Sequence, residues 1–344
     1  MVNRTFYQTG IRRMEAGEAP MPTMGDEDVL VKIQAVGICG SDLHYYDKGR
    51  IGAFAVKYPF ILGHEAAGEI VEVGKKVRHL KVGDRVAMEP GIPCYHCEMC
   101  LSGHYNLCPD VRFWATPPYD GCLMDYVAHP AAFSFKLPEN VSCKEGALIE
   151  PLAIGLNAAK TGGVQLGDTV VIFGSGCIGL VTLLASKGYG ASRVIVVDVL
   201  EKRLATAQRM GAETLNSRNC DAVAEIMAMT GGKGANVVID CCGISQTVRQ
   251  SLQVAAPAGC VVLVGLGEDE INGLPMGLLS TKELTVRSIF RYKNLYPTAI
   301  NAVASGSIDI RQIISHTFPF EQTPQAFEEC IENVRDIVKG VILF

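Results

Sequence analysis

The chain has 344 residues, 48% hydrophobic and 19% charged, with a formal net charge of -5, an ordinary globular profile long enough for about two domains at ~100–200 residues each. The acidic balance argues against a general affinity for nucleic acid or anionic membrane, which needs a basic face, and the longest apolar run, CIGLVTLLA, is far short of the ~20 residues of a membrane span. The N-terminal MVNRTFYQTGIRR lacks the apolar centre of a secretory signal, so a cytoplasmic location with reduced cysteines is expected.

From Val29 to about Ser134 the chain shows short apolar runs separated by turns: VLVKIQAV, AGEIVEVG, GDRVAMEPG and DYVAH. This texture predicts an antiparallel β module. Within it lies CYHCEMCLSGHYNLC, where Cys94, Cys97, Cys100 and Cys108 follow C-x2-C-x2-C-x7-C. In a reduced protein that spacing lets four thiolates close on one tetrahedral zinc ion, and a closed shell has no room for water or substrate. The lobe, about residues 91–110, is therefore expected to carry a structural zinc. It has no Lys or Arg between Cys94 and Cys108, which speaks against a nucleic-acid-binding zinc ribbon.

After Gly167 the pattern changes to an alternation of β-branched runs and amphipathic helical segments. The runs are TVVIF (169–173), RVIVVD (193–198), ETLN (213–216), NVVIDCC (236–242), CVVLVG (260–265) and LTVRSIF (284–290). Six strands with helices between them predict an α/β fold with a doubly wound parallel sheet of the Rossmann type. The tail, with TPQAFEECIENV as a helix and GVILF as a short strand, predicts a return to the first module.

Directly after TVVIF comes Gly174-Ser175-Gly176-Cys177-Ile178-Gly179, and Asp198 ends the next strand nineteen positions beyond Gly179. Strand, GxGxxG, helix and acidic residue together form a dinucleotide fingerprint: the glycines admit the pyrophosphate, the helix N-terminus supplies amides, and Asp198 holds ribose hydroxyls. A carboxylate at 198 repels a 2′-phosphate, so NAD is preferred over NADP, although Arg203 nearby weakens that preference.

Two further segments, GICGSDLHYY (37–46) and GHEAAGEIVEVGKKV (63–77), contain metal-ligating residue types. Gly63, His64, Glu65, Gly68, Gly74 and Val77 meet the GHE-x2-G-x5-G-x2-V signature, and through them the chain resembles the zinc-containing medium-chain alcohol dehydrogenase family over nearly its whole length. ALIEPLAIG (147–155), VRFWATPPYDG (111–121) and IFRYKN (289–294) are similar to the polyol branch, the sorbitol (L-iditol) and xylitol dehydrogenases. Where the alcohol dehydrogenases proper have a cysteine as third ligand, this chain has Glu150.

The resemblance implies a GroES-like antiparallel β catalytic domain (1–153 and 289–344) and an NAD-binding Rossmann domain (154–288). It implies Cys39 and His64 as catalytic zinc ligands, with Glu65 and Glu150 sharing the carboxylate role directly or through water, and Asp42 orienting the His64 ring. It assigns Ser41 and His44 to a proton path, Tyr45, Phe113, Thr116, Glu150, Arg291 and Tyr292 to the substrate pocket, and Val264, Gly265, Leu266, Ile289, Phe290 and Arg291 to the cofactor border. Two zinc ions and NAD per chain, a small polyol substrate and a homo-oligomer, a tetramer ahead of a dimer, are the expected partners. The competing readings are a related dehydrogenase for threonine, a phosphorylated polyol or another secondary alcohol, and a zinc-free quinone-type reductase.

Overall fold

The computed structural model describes residues 2–268 and 270–344. The chain divides into two compact units, one of Met1–Glu150, Tyr296–Ala304 and Ile314–Phe344, the other of Pro151–Leu295 and Ser305–Ile313.

In the first unit a seven-stranded sheet runs in the order Ser134–Lys136, Arg85–Met88, Glu65–Val73, Asp28–Gly37, Gly340–Leu343 and His316–Pro319, with Tyr126–Pro130 also pairing to Asp28–Gly37. The pairs are antiparallel except the last two strands of that path, which are parallel. Asp28–Gly37 is central and buried on both faces, which is why its sequence is nearly continuous in apolar residues rather than alternating. The tail returns to this sheet as expected, with Val341 opposite Gly37.

An N-terminal hairpin, Asn3–Gly10 with Arg13–Ala19, was not among the expected strands. Its second strand, RMEAGEA, is largely exposed, so no buried face imprints a hydrophobic pattern on it. The hairpin still supports the helix that follows Cys39. Gln8, fully buried, donates through Nε2 to the carbonyls of Tyr45 (2.9 Å) and Tyr46 (3.3 Å) in the helix Gly40–Lys48.

The second unit holds a six-stranded, wholly parallel sheet in the order Glu213–Asn216, Arg193–Asp198, Thr169–Phe173, Ala235–Asp240, Ala255–Leu263 and Thr285–Ser288. Counted along the chain this is 3-2-1-4-5-6, the dinucleotide-binding topology, whose switch point lies between the first and fourth strands. Val170, Val171, Ile172 and Phe173 of the first strand are at most 1% exposed, each burial being worth about 1.5–3 kcal/mol. Three strands differ in extent from the apolar runs. The fourth stops at Asp240 because Gly243 turns the chain at φ +70°. The fifth starts earlier, at Ala255, and stops at Leu263, where the amides of Val264 and Gly265 fold onto Asp240 O at 2.9 and 3.0 Å. The sixth shortens to Thr285–Ser288. Among the described residues no helix is long and apolar enough to cross a membrane.

Candidate metal centres and cofactor site

The first unit presents two clusters of metal-ligating side chains. In the lobe, the sulfurs of Cys94, Cys97, Cys100 and Cys108 all lie within 4.8 Å of one another. Two of the separations, 3.9 Å for Cys94–Cys100 and 3.4 Å for Cys97–Cys100, bracket the edge of about 3.8 Å expected for a tetrahedron with metal–sulfur bonds of about 2.3 Å. Backbone amides support two of the sulfurs, the Cys97 amide donating to Cys94 Sγ (3.3 Å) and the Cys94 amide to Cys108 Sγ (3.4 Å), while burial pushes the Cys100 thiol up to about 12 and raises Cys108. The His96 and Cys97 amides are the main reason the Cys94 thiol is pulled down to about 6. Among the described residues no cysteine is in a disulfide. The donor set fits zinc and is complete with four.

The second cluster brings together Cys39, His64 and Glu65, one donor atom from each within 4.8 Å of the others. Cys39 is the N-cap of the helix Gly40–Lys48, and His64 and Glu65 stand where the chain enters the strand Glu65–Val73. Asp42, fully buried, ties the two segments together. One of its oxygens accepts from Gly63 N at 3.0 Å, and the other accepts from Cys39 N at 3.2 Å and lies 3.4 Å from His64 Nδ1. That last approach is a charge contact longer than a well-formed hydrogen bond. With Nδ1 turned toward Asp42, Nε2 is the nitrogen left for a cation.

Burial alone lowers the pKa of the His64 imidazole, yet the charges of Asp42 and Cys39 outweigh it and hold it well above the usual histidine range. A thiolate, an imidazole and a carboxylate fit zinc and are one short of the four donors that would close it.

Glu65 is fully buried and has a partner that sequence reasoning missed. Lys339 Nζ, on a lysine only 3% exposed, donates to Glu65 Oε1 at 2.8 Å and Oε2 at 2.9 Å, and to Ile38 O at 3.0 Å. Gly37 faces Glu65 across the sheet, and any Cβ at 37 would collide with Glu65 Oε2.

Glu150 is buried in the first turn of the helix Ile149–Gly162 and lies outside the three-residue cluster. It acts electrostatically on another buried carboxylate, Glu89. Burial pushes Glu89 up to about 7, the Tyr105 hydroxyl pulls it back, and the Glu150 charge adds to the rise. Tyr105 Oη donates to Glu89 Oε1 at 2.8 Å, and Tyr105 belongs to the cysteine lobe.

Of the remaining expected residues in this unit, Phe113 packs against the cluster, its ring centroid 5.7 Å from that of His64. Ser41 is half-buried and His44 exposed on the Gly40–Lys48 helix, Thr116 is half-buried, and Tyr45 is buried edge-on to Phe60.

The second unit places the GxGxxG loop at the switch point. Gly174 has φ +95°, and a Cβ there would press on Cys242 Sγ at 2.9 Å, while one on Gly179 would collide with Gly174 O. Only glycines therefore keep the cradle open. The helix Cys177–Gly188, which includes Ile178, starts at Gly176, which has no side chain to cap it, and helix N-termini of this kind attract anions.

Asp198 is fixed in front of this loop: Oδ2 accepts from Ser175 N (2.6 Å), and Oδ1 from Val199 N (2.7 Å) and Leu200 N (2.9 Å). Arg203 Nη1 lies 3.6 Å from where a Cβ on Gly176 would stand. These residues fit a dinucleotide.

Val264, Gly265 and the 89%-exposed Leu266 follow the fifth strand, and Ile289, Phe290 and Arg291 follow the sixth. Both groups are at the carboxyl ends where ligands of such sheets bind. Arg291 adopts φ +56°, its guanidinium 4.8 Å over the Phe290 ring and its carbonyl held by Asn157 Nδ2 at 2.8 Å. Tyr292 beside it is buried.

Residues 25–139 match the alcohol dehydrogenase GroES-like domain, and residues 177–305 the zinc-binding dehydrogenase domain. The chain is 46% identical over 316 residues to a D-xylulose reductase of Morganella morganii, covering 91% of this chain and 92% of the relative. It is 42% identical over 333 residues to a sorbitol dehydrogenase of Arabidopsis thaliana, covering 95% and 91%. Among solved structures, an Escherichia coli oxidoreductase/dehydrogenase of unknown specificity superposes with a TM-score of 0.95 at 41% identity, covering 100% of this chain and 99% of that one.

The chain belongs to the zinc-type medium-chain alcohol dehydrogenase family and is a zinc- and NAD-dependent oxidoreductase acting on a CH–OH group. Within that family it is closely related to the sorbitol dehydrogenase- and xylulose reductase-like proteins, whose substrates are of the polyol type.

Proposed function

We propose that the chain oxidises an unmodified polyol of the sorbitol, xylitol or L-iditol type to the ketose with NAD, at the Cys39–His64–Glu65 centre, and that the cysteine lobe is structural. The observation that supports this most is the donor arithmetic: the lobe gathers four thiolates, whereas the mixed centre gathers three different donors and keeps a position for substrate. A zinc ion held there by Cys39, His64 and Glu65 would supply Lewis acidity that lowers the pKa of a substrate hydroxyl toward neutrality. NAD held by the fingerprint loop supplies the hydride acceptor.

The chain's own residues do the rest. Asp42 sets the His64 tautomer, and Phe113 keeps water from one side of the imidazole. Ser41 passes the substrate proton toward His44, whose exposed ring reaches solvent. Tyr45, Thr116, Glu150, Arg291 and Tyr292 supply the contacts that choose a polyol, because a site built around several hydroxyls rejects substrates lacking them. Asp198 favours the unphosphorylated ribose of NAD, a preference that Arg203 beside the loop weakens.

A homo-oligomer is part of the same reading. The strand Thr285–Ser288 ends its sheet with all four residues exposed, including Val286 at 43%, an open edge of the kind that pairs with a second copy.

The test is a matrix of pentitols, hexitols, threonine, sugar-alcohol phosphates and simple alcohols against NAD and NADP. The expected result is kcat/KM for at least one polyol with NAD about 10²-fold or more above ethanol. Turnover confined to threonine or a phosphorylated polyol overturns the substrate assignment.

A further inference from the structure

Three separate elements converge on the Glu65 carboxylate. The strand Glu65–Val73 carries it, Gly37 on the neighbouring strand leaves the space it fills, and Lys339, 274 residues further along the chain, grips both its oxygens. Register puts the lysine there. Val341 pairs with Gly37, and Ile38 N donates to Gly340 O at 2.9 Å, so the residue just before the last strand lands beside Ile38 and Glu65. An ammonium has three N–H groups, and Ile38 O and the two Glu65 oxygens stand as their acceptors. A buried charge pair of this kind resists separation, because removing one partner strands the other away from water.

The arrangement is unusual for a ligand that only has to bind a metal. A carboxylate already neutralised by an ammonium is a weaker donor, and the ammonium also repels a dication nearby.

We propose that Lys339 is a positioning residue that restrains Glu65: it holds the carboxylate ready beside Cys39 and His64 while weakening its hold on the cation, so that the centre does not close around its metal. This rests on reading Cys39, His64 and Glu65 as a metal centre. In the absence of metal Lys339 stabilises the fold by neutralising Glu65, and in its presence Lys339 opposes tight binding. Lys339→Met therefore has two effects of opposite sign, lower stability of the metal-free protein and tighter retention of the metal. A lysine that merely filled space would give only the first.

The experiment follows metal release from the full-length zinc-loaded protein into a chromogenic chelator, with Cys39→Ser measured in parallel to isolate release from the lobe. Cobalt-exchanged protein supplies the visible d–d and thiolate charge-transfer bands of the mixed centre. Lys339→Met is expected to slow release from the mixed centre by about tenfold or more and to shift the d–d bands as Glu65 binds more closely. Lys339→Arg, which keeps the charge, stays near the wild type. If the Met variant does not fold, Lys339→Gln, which drops the charge and keeps donors, is expected to slow release in the same way. Unchanged or faster release with unchanged cobalt bands overturns the role of Lys339 alone. A wild type that shows no release phase beyond that of Cys39→Ser instead overturns the metal-centre reading and takes this proposal with it.

Discussion

The two cysteine-bearing clusters of the first unit use the same element types to opposite ends. The lobe assembles four identical donors from one stretch of fifteen residues and supports them with backbone amides. The mixed centre assembles three different donors from two segments and spends further buried groups, Asp42 and Lys339, on orienting them. A site closed by local sequence needs little help from the fold, whereas a site with an open position needs outer residues to stop its ligands from rearranging.

The largest expected effect separates the two clusters directly. Cys39→Ser should lower kcat/KM by roughly 10³-fold or more, the equivalent of several kcal/mol of lost Lewis-acid stabilisation, while NAD affinity measured by fluorescence titration stays within about twofold. Cys97→Ser should do the reverse: loss of the lobe's metal costs several kcal/mol of stability or impairs assembly, and turnover per folded molecule is kept. A fully folded, fully assembled Cys97→Ser protein without activity would remove the distinction between the clusters.

A smaller effect concerns the hydrogen bond by which the lobe reaches inward, Tyr105 to Glu89. Glu89 is raised from 4.5 to about 7, chiefly by burial. The folded chain therefore holds this proton more tightly than the unfolded chain does. The stability it contributes is complete below about pH 4.5 and is lost as pH rises toward about 7. Glu89→Gln should cancel that loss, changing the slope of unfolding free energy between those pH values by roughly 2–3 kcal/mol in total. Parallel denaturation curves for the two proteins across that range would show that Glu89 does not hold the proton.

Much of the fold was visible in the sequence because its signals are local. The six apolar runs, the GxGxxG turn with Asp198 beyond it and the cysteine spacing each report on a short segment, and strands appear at each of those runs, three of them with altered ends. The ends moved for local hydrogen-bonding reasons, such as the amides of Val264 and Gly265 turning onto Asp240 O.

What was not visible depends on register between distant segments. Lys339 reads as one charged residue before a short strand, and only the pairing of Val341 with Gly37 brings it to Glu65. Glu89 reads as the end of a strand, and its near-neutral carboxyl arises from burial and from Tyr105 and Glu150, which are remote in sequence. The N-terminal hairpin is hidden for another reason, since an exposed strand carries no core-facing period. Gly37 could have been a clue: a glycine at the end of a central strand implies that something occupies the place of its side chain.

The most direct test of the account is anomalous diffraction at the zinc edge from crystals of the purified protein. Two peaks per chain are expected, one at the centre of the four lobe sulfurs and one bounded by Cys39, His64 and Glu65. A single peak in the lobe, with the Cys39, His64 and Glu65 side chains turned away from one another, would contradict it.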